Sequence, residues 1–72
     1  MEELTKDAGD YIRDWRARHD LTKVAAGAIL GITPTHLYYL ETGRRFASPV
    51  IADALSKLTG QPITVFLNMK AR

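Results

Sequence analysis

Few side chains in this 72-residue sequence are of types that do covalent chemistry, and their spacing argues against it. His19 and His36 are isolated from each other and from any second catalytic group. There is no cysteine, so a thiol nucleophile, a disulfide framework and a thiolate metal site are all excluded. No glycine-rich phosphate loop, metal-ligand cluster or His–Cys pairing occurs. Ser48 precedes a proline and reads as a helix cap, and Ser56 reads as a helix-surface residue. Neither catalysis nor a cofactor or metal is expected. What the sequence offers instead is non-covalent: Thr35, His36, Tyr38 and Tyr39 lie together, and Arg44 and Arg45 follow shortly after.

The net charge of +2 decides nothing, but its distribution is uneven. Residues 1–20 hold four basic and six acidic side chains; residues 21–72 hold six basic and only Glu41 and Asp53 as acids. A basic body behind an acidic leader suits a polyanionic partner, because phosphate contacts supply most non-specific affinity. An ordinary solvated surface would give the same count. Apolar content of 46% and charged content of 25% fit a globular domain. The opening Met-Glu-Glu-Leu lacks the basic-then-apolar run of a signal peptide. No apolar stretch approaches the roughly 20 residues that span a bilayer. A cytoplasmic protein is expected.

The elements that must position the polar and basic residues are helices. Leu4, Ala8, Tyr11, Ile12 and Trp15 recur at spacings of three, four and seven, one face of a helix that Thr5 or Asp7 starts and Asp20 ends. Thr22 caps a second helix, Lys23 to Leu30, closed by Gly31. Thr33 and Pro34 open a third that ends at Gly43. Ser48-Pro49 repeats that start for a fourth, which runs to Thr59 with Val50, Ile51, Ala54, Leu55 and Leu58 as its apolar stripe. Ile63 to Met69 forms a short fifth. The chain reads as one domain over 1–72, with 1–7 a flexible leader and 70–72 a frayed tail. At this size the core is small and stability marginal.

Two of these helices meet across the three-residue turn Gly31-Ile32-Thr33, a geometry that sets them nearly perpendicular. Gly27 lies midway along the first, facing the crossing. A glycine there costs about 1 kcal/mol of helix propensity against alanine, so close packing is its best explanation. Ala26, Leu30, Ile32, Leu37 and Leu40 supply the core that locks the pair.

The stretch LTKVAAGAILGITPTHLYYLETGRR resembles the helix-turn-helix of the phage repressor/Cro (XRE-type) regulators. Several of these read leucine, Ser/Thr, Gln, a small residue, Gly, a Ser/Thr cap, two aliphatics and then Glu-Asn-Gly-Lys-Arg. The likeness runs without a gap from about Ile12 to Leu67. It implies an all-α, compact five-helix lambda-repressor-like DNA-binding domain in a bacterial cell or phage-infected host. In that family the second helix of the motif enters the major groove and reads base edges from its N-terminal solvent face. The resemblance therefore makes Thr35, His36, Tyr39 and Pro34 base-contacting, with Pro34 limited to apolar contact. It makes Thr22, Lys23, Tyr38, Thr42, Arg44 and Arg45 phosphate-contacting, which positions the protein without reading sequence. Lys23 replaces a frequent glutamine, and Thr42 replaces a common asparagine. Arg16 and Glu41 fall where the family commonly forms an ion pair. The plainer alternatives are a bland surface His36 and tyrosines that only pack on neighbouring helices.

The resemblance also implies a homodimer on a palindromic operator, with Val65, Phe66 and Met69 as interface candidates. In the rival reading the fifth helix belongs wholly to the monomer core; Ile63, Phe66 and Leu67 match the family's core pattern. One departure from the pattern stands out: the outward positions of the motif's first helix, Val24, Ala25, Ala28 and Ile29, are apolar. Either a protein partner or the folded-back leader covers them. The function expected is a repressor that binds double-stranded DNA sequence-specifically. A protein-interaction module or antitoxin-type partner-binding domain on the same fold is the alternative.

Overall fold

The computed structural model describes residues 7–67, which are helical with no strand among them. Five helices follow in order: α1 Ala8–Arg18, α2 Lys23–Leu30, α3 Pro34–Thr42, α4 Pro49–Thr59 and α5 Ile63–Leu67. Each of the first four starts where a side-chain oxygen accepts a first-turn N–H. Asp7 takes the bond from Asp10 N at 2.9 Å and Asp10 takes one back from Asp7 N at 3.2 Å, a complete capping box. Asp7 is thus part of the folded domain, one residue earlier than a leader over 1–7 implies; Thr5, the other cap candidate, lies outside the described residues. Thr22, Thr33 and Ser48 cap α2, α3 and α4 in the same way. The stops are equally local. Gly31, Gly43 and Gly60 all sit at positive φ, and Asp20 is the one other described residue that does.

The core gathers one to three residues from every helix: Ala8, Ile12 and Trp15 from α1, Ala26 and Leu30 from α2, Leu37 and Leu40 from α3, Ala52 and Leu55 from α4, and Phe66 from α5. Ile32 in the turn is half-buried against it. Leu4 lies outside the described residues. The α4 stripe differs from expectation. Val50 is 78% exposed and Leu58 is also exposed, whereas Ala52 is fully buried. Ala52 stands one turn before Leu55 on the inward face of α4, which packs against α1 and α2. Ser56 also departs from a surface role. Its hydroxyl donates to the Gln61 carbonyl at 2.6 Å and closes the turn into α5.

α1 and the end of α3 approach each other closely. A Cβ added at Gly9 would lie 2.0 Å from the Glu41 carbonyl oxygen and 2.8 Å from its carbon, both backbone atoms. Alanine normally stabilises a helix interior by about 1 kcal/mol over glycine. Here the sign reverses: Gly9→Ala lowers stability by about 1–3 kcal/mol, the usual cost of overpacking. Thermal unfolding followed by circular dichroism checks it, and an unchanged or raised Tm would mean that α1 does not approach α3 this closely.

Candidate nucleic-acid interface

The site is built on the α2–turn–α3 unit. α2 ends in a Schellman arrangement: Ile32 N donates to Gly27 O at 2.8 Å and Gly31 N to Ala28 O at 3.3 Å. These bonds satisfy the last carbonyls of α2 and direct the chain sharply into Thr33. The turn then folds back over Gly27, where a Cβ would stand 2.6 Å from the Ile32 carbonyl oxygen. The third helix starts at once, since Thr33 Oγ1 accepts from His36 N at 3.0 Å and Pro34 needs no N–H partner.

α3 buries Leu37, Leu40 and Glu41 and turns its remaining side chains outward. Pro34 and Thr35 are exposed on its first turn, His36 and Tyr39 are half-buried, and Tyr38 is exposed. Thr33, Thr35, His36, Tyr39 and Arg45 line a shallow depression of about 240 Å³. The candidate base readers Thr35, His36 and Tyr39 are therefore brought to one place, with Pro34 beside them on the first turn.

The basic link is held against the same helix. A second Schellman arrangement ends α3, with Arg44 N donating to Tyr39 O at 2.9 Å and Gly43 N to Leu40 O at 3.4 Å. Arg45 N also points at the Tyr39 carbonyl, at 3.4 Å. The guanidinium carbons of Arg44 and Arg45 lie 5.8 and 5.9 Å from the centre of the Tyr39 ring. Lys23 Nζ lies 6.0 Å from the Tyr38 ring, so the start of α2 and the middle of α3 share one cationic rim. Thr22 caps α2 next to Lys23. Thr42 is differently placed: its hydroxyl donates back to Tyr38 O at 3.0 Å, and a phosphate could take that proton only by breaking the bond. Phe46, exposed in the same link, went unremarked in the sequence, where a lone aromatic carries no periodic signal.

A family model described as a helix-turn-helix domain matches residues 7–65. The chain belongs to the helix-turn-helix domain family. DNA binding and transcription regulation are the general functions that membership carries. No curated protein and no solved structure matches the chain. Among the described residues, no helix is long and apolar enough to cross a membrane.

The helix-turn-helix is fixed to the rest of the domain through Glu41, the only buried charged residue among those described. Arg16 Nε donates to Glu41 Oε2 at 2.6 Å and Arg16 Nη2 to Oε1 at 3.1 Å, a two-pronged pair between α1 and α3. Arg16 Nη1 also donates to Leu21 O at 3.1 Å, tying the entry to α2 into the same node. Arg13 donates to the backbone carbonyl of Glu41 at 2.8 Å and pairs with Asp10 on its own helix. The sequence signal for Arg13 is its spacing: it stands one turn before Arg16, on the same side of α1.

Two further expectations meet the structure here. Phe66 is fully buried in the monomer core, because the short α5 turns it under α4, and it is unavailable to a partner. Val65 is half-buried and packs on the core. Leu67, expected in the core, is instead exposed; Met69 lies outside the described residues. On α2, Val24 is 68% and Ile29 54% exposed, with Ala28 exposed between them and Ala25 half-buried. The leader residues 1–6 that could cover this face lie outside the described residues.

The two ends of the Arg16–Glu41 pair differ in their access to water. The Glu41 side chain is 3% exposed and that of Arg16 17%. Arg16→Met strands a carboxylate that cannot rehydrate, whereas Glu41→Leu strands a guanidinium that can swing outward and that keeps the Leu21 carbonyl in reach. Both variants should lose stability. Arg16→Met should lose more, about 3–5 kcal/mol, with the double variant recovering part of it. Urea unfolding of the three proteins checks the order. A smaller loss for Arg16→Met would mean that Glu41 reaches solvent.

Proposed function

We propose that this chain is a sequence-specific double-stranded DNA-binding regulator of transcription, a repressor of the phage repressor/Cro (XRE) type, with α3 as its recognition helix. One observation carries the reading. The polar face of α3 is exposed beside Arg44 and Arg45, and neither arginine forms an ion pair among the described residues. A helix held by its inner face and its end, with hydrogen-bonding side chains outward and uncompensated cations alongside, suits a major groove flanked by phosphates. Thr35 would hydrogen-bond a base or touch a thymine methyl, and His36 would donate or accept through either ring nitrogen. Pro34 would add apolar contact, and Tyr39 would stand one turn further along the same face. Lys23, Tyr38, Arg44, Arg45 and the first N–H groups of α2 behind Thr22 would meet the backbone; Thr42 would donate to a phosphate only at the loss of its bond to the Tyr38 carbonyl.

One recognition helix reads only a few base pairs, so two copies would act together on a palindromic operator with half-sites about one helical turn apart. The exposed Leu67 and the neighbouring Val65 are the described apolar groups of α5 that favour contact between copies. The exposed Val24, Ala28 and Ile29 support a second reading, in which α2 docks a protein partner as an antitoxin-type domain would.

Selection from a randomised duplex pool, followed by anisotropy titration at several salt concentrations, tests the reading. A two-fold palindrome should emerge, with affinity falling steeply as salt rises. No enrichment and no salt dependence would leave the α2 face as the working surface. On the selected site, Thr35→Ala should cost about 1–3 kcal/mol and relax preference at one position in each half-site. Arg45→Ala should instead weaken all duplexes alike and reduce the salt slope by about 1. Equal effects of the two variants on cognate and random DNA would sink the division between readers and clamps.

A further inference from the structure

We infer that Tyr39 is a positioning residue whose ring organises Arg44 and Arg45 into a single phosphate-binding clamp, and that its ring face rather than its hydroxyl is the acting part. This rests on the DNA-binding reading for the source of the phosphate, a duplex backbone, but not for the clamp itself. Three observations converge on one residue. The Tyr39 carbonyl accepts from the backbone N–H of both arginines, at 2.9 and 3.4 Å, so it fixes where their side chains begin. The Tyr39 ring has both guanidinium carbons within 6 Å of its centre, so it also fixes where they end. No carboxylate among the described residues pairs with either arginine.

The physical consequence follows from what a long cationic side chain loses on binding. A flexible arginine gives up rotamer freedom when it is immobilised on an anion. An aromatic face restrains it beforehand through cation–π attraction. Two cations sharing one ring also repel each other, and a phosphate bridging them removes that repulsion while accepting from both. The ring is therefore a platform for anion capture, and the depression it shares with Thr33, Thr35, His36 and Arg45 sets the clamp at the rim of the reading face. Because the carbonyl bonds come from the backbone, replacing the side chain leaves them in place, and the ring's contribution can be isolated.

The test uses the full chain and inorganic phosphate, read by NMR from the Nε–H groups of Arg44 and Arg45. In the wild type both resonances should shift together with one apparent Kd. Tyr39→Leu should weaken that Kd by roughly tenfold, the worth of two exposed cation–π contacts. Tyr39→Phe, which restores the ring without the hydroxyl, should recover it. Circular dichroism establishes that each variant is folded. If Tyr39→Leu does not fold, Arg44→Ala keeps the test open: it should weaken the Arg45 response by a similar factor, because the clamp needs both cations on one anion. Independent Kd values for the two arginines, an unchanged Kd in Tyr39→Leu, or a loss in Tyr39→Phe equal to that in Tyr39→Leu would each overturn the clamp. A wild type that shifts with phosphate but selects no duplex would retire the DNA-binding reading and leave the clamp standing.

Discussion

The domain depends on how one carboxylate is held. Glu41 is taken out of water at the end of α3, and a buried carboxylate is tolerable only where cationic donors replace its solvent. Arg16 supplies two of them across the carboxylate oxygens, Arg13 occupies the carbonyl of the same residue, and Gly9 lets the α1 backbone come close enough for both. Apolar contact between helices is non-directional and would allow α3 to rotate or slide. A two-pronged ion pair with a third bond to the backbone does not. The orientation of the outward face of α3 is thus set from behind, by the ion pair and the backbone bond beside it.

The turn between α2 and α3 adds the second constraint. Gly27 has no side chain where the Ile32 carbonyl passes, and the Schellman bonds of Ile32 and Gly31 leave the chain a single route into Thr33. The angle between the helices therefore comes from backbone geometry over a few residues. The core residues Leu30, Leu37 and Leu40 then hold it in place. Two short helices, neither stable alone, become one rigid unit.

What could be read in the sequence is what short-range chemistry determines. Thr22, Thr33 and Ser48 before their helices and Gly31, Gly43 and Gly60 after them mark the boundaries, because a cap needs only residues within one turn of it. The placement of Thr35, His36 and Tyr39 followed from the inward Leu37 and Leu40. Harder to read was whatever depends on distance of approach. Ala52 and Gly9 are small residues that are buried, Gly9 against the Glu41 backbone, and smallness has no periodic signature. Val50 and Leu58 look like core by composition, yet they face outward while Ala52 and Leu55 face in. The engagement of Thr42 with its own helix, and of both arginines with Tyr39, depends on side-chain conformation, which residue spacing does not encode.

The separation between the inner and outer faces of α3 has a consequence for divergence. Leu37, Leu40 and Glu41 hold the helix, while Pro34, Thr35, His36 and Tyr38 contribute little to the buried interior. Surface positions of that kind tolerate exchange with small effects on folding. The outer residues can therefore drift, or be rewritten by design, while the scaffold stays intact. Such a domain is free to vary on one face of α3 and conservative in its shape, and a lineage could change that face without passing through an unfolded intermediate sequence.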